Sequence, residues 1–177
     1  ATDMDYEDNH KPYEFDSKIY QCRVYNGFGR AKEEQALRYG PNIKDWPRMY
    51  AMEDNMLLEL AAVIHDPVTT TDELIPSGET SSYRSNPLKL SEFALSRRVP
   101  EYVGISKRIQ AQDLERREGK CPQHVLDALA KVGASADNTS FGSCVFANRP
   151  GDGSAREQAA SCQKVLGGDA NICYEYA

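Results

Sequence analysis

Apolar positions along this chain gather in short runs, and polar segments rich in glycine, proline or serine separate them. Residues 55–66, NMLLELAAVIHD, are apolar enough to be buried and predict either a central strand or a helix, because periodicity alone does not distinguish the two in so short a run. Residues 141–147 predict a buried strand, and residues 170–177 predict a further strand at the end of the chain. Residues 19–25 predict a short strand that stops at Asn26-Gly27.

Helical patterns lie between the predicted strands. They cover residues 88–98, 99–119, 124–132 and 155–166. Asn86-Pro87 supplies an N-cap and a first-turn proline for the first of them, and Gly167-Gly168 ends the last. Strands that alternate with helices in the C-terminal half predict an α/β fold. A strand, a glycine turn and a helix in succession place the turn at the carboxyl end of a strand, where open α/β sheets bind ligands.

Three polar segments have no strong periodicity. Residues 1–18 are acidic and predict a linker or mobile lead-in, which leaves residues 19–177 as the folded domain. Residues 38–47 carry two prolines and the single tryptophan and predict an ordered loop. Residues 67–87 form a long loop rich in threonine and serine, and a loop of this length in a compact domain is usually functional or disordered.

The acidic balance of the chain limits the class of partner. The 177 residues carry a formal net charge of −6 and a pI near 5.1, so neither nucleic acid nor an anionic membrane is expected to bind. No apolar run approaches the roughly 20 residues that span a bilayer. The basic cluster Lys107-Arg108 and Arg116-Arg117 lies among acidic residues and predicts a solvated helix face.

The cysteines predict free thiols and a reducing, cytoplasmic location. Five of them are widely spaced, and no two form a Cys-x-x-Cys pair. Neither a zinc site nor an iron–sulfur cluster held by this chain alone is therefore expected. They are Cys22, Cys121, Cys144, Cys162 and Cys173.

The glycine turn before the last helix is the first candidate site. Residues 151–158, GDGSAREQ, place the free amides of a helix N-terminus and the Arg156 guanidinium where an anion could bind. The segment lacks the Gly-Lys-Ser/Thr of a nucleotide-binding loop, and it is not Gly-x-Ser-x-Gly, because no glycine follows Ser154. Ser154 and Glu157 also fit the Ser-x-x-Glu capping box, so Ser154 is predicted to cap the helix, and it is a candidate reactive group as well.

The second candidate site is the long loop at residues 67–87. It offers a second guanidinium, Arg84, which is flanked by Ser81, Ser82 and Ser85. Taken alone, Arg84 is as well explained as an exposed loop residue.

The two sites together resemble the C-terminal swivelling domain of the aconitase superfamily of iron–sulfur hydro-lyases. Thr70-Thr71-Asp72 is followed after twelve residues by Arg84, which is the spacing of that family. Residues 151–158 resemble its Gly-x-Gly-Ser-Ser-Arg-Glu-His motif. The loop wording DELIPSGETSSYRSNP is most similar to bacterial aconitase-like hydratases. The resemblance covers roughly residues 38–177.

The resemblance implies roles for individual residues. Ser154 would be the base that exchanges the substrate Cα proton, with Arg84 and Arg156 binding substrate carboxylates and Asp72 supporting proton transfer. Further residues would lie beside the substrate: Thr71, Ser82, Gly153 and Ala155. Ala155 replaces a serine of the family and Gln158 replaces a histidine, so the identity of the substrate is open.

The resemblance also implies a three-layer β/β/α fold and an absent cofactor. The [4Fe-4S] cluster, a Lewis acid for the substrate hydroxyl, would be bound by other domains and not by this chain. Three hypotheses stay open. In the first, the chain is the C-terminal domain of a larger hydratase, cut short and inactive alone. In the second, it is a small subunit, like that of 3-isopropylmalate dehydratase, which pairs with a cluster-bearing large subunit. In the third, it is a non-catalytic anion-binding module in which Ser154 only caps its helix.

Overall fold

The computed structural model describes residues 11–18, 29, 32–36 and 38–177. The chain divides into two compact units, Ala1–Arg38 and Tyr39–Ala177. In the first unit, residues 11–18 are exposed. The strand predicted at residues 19–25 lies outside the described residues, as does most of the predicted lead-in. All elements below belong to the second unit.

Five strands form two small parallel sheets. A three-stranded sheet has the order β1-β3-β5, and β2 pairs with β4 separately. The strands are β1 Asn55–Ile64, β2 Thr69–Thr70, β3 Thr139–Ala147, β4 Pro150–Asp152 and β5 Gly168–Ile172. Parallel neighbours require crossover connections, and the helices supply them.

Helices fill the crossovers between the strands. They are α1 Thr71–Leu74, α2 Pro87–Ser91, α3 Tyr102–Arg117, α4 Gln123–Lys131 and α5 Arg156–Val165, with 3₁₀ turns at Ser81–Tyr83 and Ala136–Asn138. The α/β class predicted from the sequence is confirmed. The strand at residues 141–147 and the last three helices are confirmed to within a few residues at their ends.

Long-range contacts determine two elements that the sequence left open or predicted incorrectly. Residues 55–64 form a strand, because the run pairs in parallel register with β3 from Asn55 to Ile64. The helix predicted over residues 88–98 is too long, since α2 ends at Ser91. The chain then turns through Leu95, whose φ is +55° and whose amide donates to the Leu74 carbonyl. The Asn86 cap is confirmed, because its side chain accepts from the Lys89 amide.

The core lies between one face of the larger sheet and the helices. Its most deeply buried side chains are Ile75, Leu95, Tyr102, Val145 and Leu166. Apolar residues on the sheet are also exposed: Leu60 and Val63 of β1, in register with Cys144 and Phe146, and Ile172 of β5. The described residues thus show a helical layer against the sheet. They do not show the second sheet layer of a β/β/α fold.

The basic cluster on α3 is only partly solvated, which corrects the sequence prediction. Lys107 and Arg108 are exposed and paired with glutamates. The side chain of Arg116, in contrast, is 3% exposed. Its guanidinium lies near the Phe141 ring and donates to the Ala136 carbonyl at 2.7 Å. Burial of an arginine requires partners for its charge.

Asp113 is the main acidic partner of this buried arginine. Its carboxylate accepts from the Phe141 amide at 2.9 Å and from Nε of both Arg116 and Arg117 at 2.8 Å. Burial by itself raises the pKa of Asp113, but the hydrogen bonds from Phe141, Arg117 and Arg116 outweigh it, and the pKa lies below its ordinary value. One carboxylate therefore ties the end of α3 to the start of β3.

We expect acid to weaken the fold through Asp113. A carboxyl whose pKa is lowered by folding contributes stability above its unfolded pKa of about 3.9, and this contribution is lost as the pH falls through the lower folded value. Asp113→Asn should cost about 3 kcal/mol near neutral pH, because Arg116 stays buried. It should also flatten the pH dependence of urea unfolding between pH 5 and 2. Asp127→Asn, on the exposed surface of α4, is the control and should change little. Equal pH slopes for wild type and Asp113→Asn would contradict this role.

We expect Gly168 to be required by packing. An added Cβ would lie 2.8 Å from the Gln163 carbonyl oxygen and 2.9 Å from the Tyr102 hydroxyl, which is fully buried. Gly168→Ala should therefore lower the free energy of unfolding by about 2 kcal/mol. Gly104→Ala, on an open face of α3, meets nothing within 4 Å and should stabilise by up to about 1 kcal/mol. Urea unfolding of the two variants measures both effects, and a neutral Gly168→Ala would refute the packing assignment.

Candidate functional site

The two motifs singled out in the sequence meet at the carboxyl end of the larger sheet. β1 and β3 end in register at Ile64 and Ala147, and each leads within a few residues into one strand of the smaller pair. In that pair, Thr69 is in register with Pro150 and Thr70 with Asp152. The segment that starts at Thr70 therefore lies directly beside the glycine turn, although eighty residues separate them in the sequence.

Gly153 touches Thr71 at this junction. Its φ is +134°, and an added Cβ would lie 2.1 Å from the Thr71 hydroxyl oxygen. Thr71 is itself 6% exposed and cannot move aside freely. Only glycine permits both this backbone conformation and this close approach.

The helix cap predicted at Ser154 is wrong. The N-cap of α5 is Ala155, with φ −86° and ψ 39°, and no side chain caps it. A capping box forms instead at the start of α1, between Thr70 and Glu73. The Thr70 hydroxyl accepts from the Glu73 amide at 3.2 Å, and the Glu73 carboxylate accepts from the Thr70 amide at 2.8 Å. Thr70-x-x-Glu73 carries the same sequence signal.

Ser154 and Arg156 lie open at the N-terminus of α5. Both are exposed, and none of the residues described forms a hydrogen bond with the Ser154 hydroxyl. Nε of Arg156 donates to the Gly151 carbonyl at 3.1 Å, which holds the guanidinium against the turn. Because no side chain caps the helix, its first-turn amides are free to bind an anion.

Arg84 and Ser82 are exposed and are not joined to the glycine turn. Arg84 follows the 3₁₀ turn Ser81–Tyr83. Within residues 38–177, neither side chain forms a hydrogen bond or ion pair with the glycine turn. The 3₁₀ turn before Arg84 contacts α2, and α2 packs on α5, so one helix stands between the turn of Arg84 and the helix of Arg156. The structure thus brings Thr71 and Gly153 together, while the Arg84 side chain has no hydrogen-bond or ion-pair partner among residues 38–177.

Asp72 has a partner that sequence reasoning missed. Its carboxylate pairs with Arg97, which also binds Glu79 at 2.7 Å. The next residue, Arg98, pairs with Glu73. The hydrogen bonds that Arg97 donates to Glu79 and to Asp72 raise the pKa of its guanidinium. The adjacent arginines at the end of a predicted helix were the only available signal, and nothing in the sequence connected them to Asp72.

The residues described here offer no ligand set for a metal or cluster. No three histidine, cysteine, aspartate or glutamate side chains among them lie close enough to hold a metal ion. Cys144 and Cys162 are buried, and burial raises the pKa of Cys162 to about 12. A thiol with so high a pKa is a poor metal ligand, because the thiolate is the ligating form.

No protein-family model matches this chain, and neither a curated protein nor a solved structure matches it. None of the described helices combines the length and the apolar composition needed to cross a bilayer. Function is therefore inferred from the chemistry of the site.

We expect Gly153→Ala to disrupt the junction of the two motifs. An alanine here would hold an unfavourable backbone conformation, which costs about 1–3 kcal/mol, and its Cβ would overlap the Thr71 hydroxyl. Gly151→Ala is the matched control, because Gly151 also has a positive φ, +97°, but nothing lies within 4 Å of its added Cβ. Urea unfolding should show a clearly larger loss for Gly153→Ala. Adding Thr71→Ala should recover part of that loss, and equal losses at the two glycines would contradict the contact.

Proposed function

We propose that this chain is the swivelling domain of an iron–sulfur hydro-lyase that acts on a hydroxy-carboxylate. The observation that supports this best is the parallel β2–β4 pairing, which sets the Thr70-Thr71-Asp72 segment against the glycine turn of Ser154. An active-site wall of this type needs both motifs at one edge of the sheet. The resemblance seen in the sequence suggests the reaction class, and the pairing gives a physical reason why the two motifs lie side by side.

Arg156 and Arg84 are proposed to bind substrate carboxylates. Arginine suits this role, because its planar guanidinium forms two parallel hydrogen bonds with a carboxylate. Arg156 uses one nitrogen to hold the Gly151 carbonyl and keeps its two terminal nitrogens for a ligand. Arg84 has no partner among the side chains of residues 38–177. It would bind the substrate together with Arg156 only after substrate binding or domain closure moves it next to the glycine turn.

Ser154 is proposed to remove the substrate proton next to a carboxylate. An alkoxide is favoured where amide donors and a guanidinium surround it, since hydrogen bonds and positive charge stabilise the charged form. The uncapped N-terminus of α5 and Arg156 would provide such donors once the Ser154 side chain turns toward them on substrate binding. Asp72, ion-paired with Arg97, is proposed to orient this region. Ser82, Thr71, Gly153 and Ala155 would line the substrate.

The [4Fe-4S] cluster implied by the resemblance does not fit the residues described here. It would be bound by cluster-bearing domains of the same polypeptide or by a large subunit, where it would act as a Lewis acid on the substrate hydroxyl. The β/β/α arrangement is likewise part of the proposal, in which a second sheet would cover the exposed apolar face around Leu60 and Val63.

A second candidate function is a non-catalytic anion-binding module. The isolation of Arg84 from the glycine turn favours it, since only Arg156 then contributes a guanidinium at the turn. Ser154 would have no chemical role in such a module.

We expect Ser154→Ala to abolish catalysis without weakening the fold. In the native assembly that carries the cluster, turnover should fall by about 10²–10⁴-fold, the usual contribution of a positioned base, while KM changes little. Exchange of the substrate α-proton with D₂O, followed by NMR, should be lost as well. Because Ser154 forms no capping bond, urea unfolding should be nearly unchanged.

Ser161→Ala, the same substitution on the same helix, is the control and should keep normal turnover. Near-normal turnover and proton exchange in Ser154→Ala would refute the base and favour the binding module. A native assembly that contains no iron would refute the hydro-lyase itself.

A further inference from the structure

One face of α5 forms the floor of a groove beside the glycine turn. Arg156, Ala159, Ala160 and Gln163 line it, at the helical spacing i, i+3, i+4 and i+7 that places side chains on one face. The facing walls include Leu74, Pro150 and Tyr176, and the groove holds about 300 Å³. Its middle is apolar, and its two polar side chains on α5 stand at opposite ends.

The Arg156 end offers an anion site. Nε is held by the Gly151 carbonyl, and no acceptor for the two terminal nitrogens is found among residues 38–177. These nitrogens can form a paired hydrogen bond with one carboxylate. Ala159 and Ala160, which follow on the helix, would then contact the rest of the bound molecule.

The Gln163 end offers a hydrogen-bond donor. Gln163 is only 6% exposed, and its Oε1 accepts from the Asn171 amide at 2.8 Å. This bond fixes the orientation of the side chain and leaves Nε2 without an acceptor among the described residues. A donor that is nearly buried and lines a groove favours a ligand with an acceptor at that point.

The spacing of the two ends sets the length of the ligand. Seven residues of helix separate Arg156 from Gln163, which corresponds to about 10 Å. An extended chain of about eight carbon atoms spans this distance at ordinary bond lengths. A compact tricarboxylate would reach Arg156 alone and would place charged groups against the alanines.

We propose that this groove binds an elongated carboxylate, with its carboxylate on Arg156, its hydrocarbon chain along Ala159 and Ala160, and a hydrogen-bond acceptor at Gln163. The inference rests on the proposed function for the role of Arg156. It adds the substrate class: a hydroxy-carboxylate with a long hydrocarbon branch. The replacement of a serine by Ala155 at the turn agrees with a less polar substrate.

Binding of straight-chain acids to the complete 177-residue chain tests the proposal. Isothermal titration calorimetry with acetate, butyrate, hexanoate, octanoate and decanoate should show affinity rising with length, by up to about fourfold per buried methylene, and levelling near eight carbons. The monomethyl ester of suberic acid, which adds a carbonyl acceptor near Gln163, should bind more tightly than octanoate. Gln163→Glu keeps an acceptor for Asn171 but removes the donor, and it should abolish that advantage.

Ala160→Leu fills the groove at an exposed position, and we expect it to weaken octanoate binding at least about tenfold. Ala128→Leu makes the same change on an exposed face of α4, away from the groove, and should bind as wild type does. Arg156→Gln should weaken every acid in the series. Circular dichroism of each variant checks that the helices persist.

Affinity that does not depend on chain length, or citrate binding as tightly as octanoate, would overturn the groove proposal and leave Arg156 as a carboxylate site. Absence of binding by every acid would overturn it also. Neither result bears on Ser154, whose role is decided by turnover and proton exchange in the assembly.

Discussion

The contact between Gly153 and Thr71 is the constraint on which the arrangement of the site depends. Parallel strands that end at one edge of a sheet bring their following loops near each other, but nearness alone does not fix one loop against the other. Here a glycine with a positive φ lies where any side chain would overlap the Thr71 hydroxyl. Thr71 is buried behind it. The glycine turn and the start of α1 therefore pack together as one corner, which carries Ser154 and Asp72 on its exposed side.

The resemblance implied that the two motifs belong to one site, but the capping pattern did not predict which residue caps each helix. Both Ser154-x-x-Glu157 and Thr70-x-x-Glu73 satisfy the capping pattern, yet only the second forms a box. Thr70 occupies the N-cap position of α1 with the extended dihedrals usual there, φ −76° and ψ 159°, whereas the N-cap position of α5 belongs to Ala155, whose side chain cannot cap. Ser154 stands one residue before the N-cap position of α5, in a turn whose path the contact with Thr71 determines.

The remaining errors arise where a partner lies far away in the sequence. Leu95 interrupts the predicted helix because its amide bonds to Leu74, and Arg116 is buried because Asp113 also reaches Phe141, twenty-eight residues away. Periodicity carries no information about such partners. Local pattern did identify the strand at residues 141–147, because its short apolar run is buried on both faces, and the helices that follow α2, because the information for them lies within each segment.

Helix α5 connects the two halves of the functional argument. Its uncapped N-terminus faces the glycine turn that carries Ser154, and its apolar residues Ala159 and Ala160 form the floor of the groove. Arg156 belongs to both, since Nε holds the Gly151 carbonyl while the terminal nitrogens remain available beside the groove. A carboxylate bound to Arg156 would contact the glycine turn and place its hydrocarbon chain in the groove. The length of that chain would therefore affect the position of the reacting carbon relative to Ser154. Under the proposed function, substrate selection and proton removal would then depend on a single guanidinium, whose position is set by its hydrogen bond to the Gly151 carbonyl.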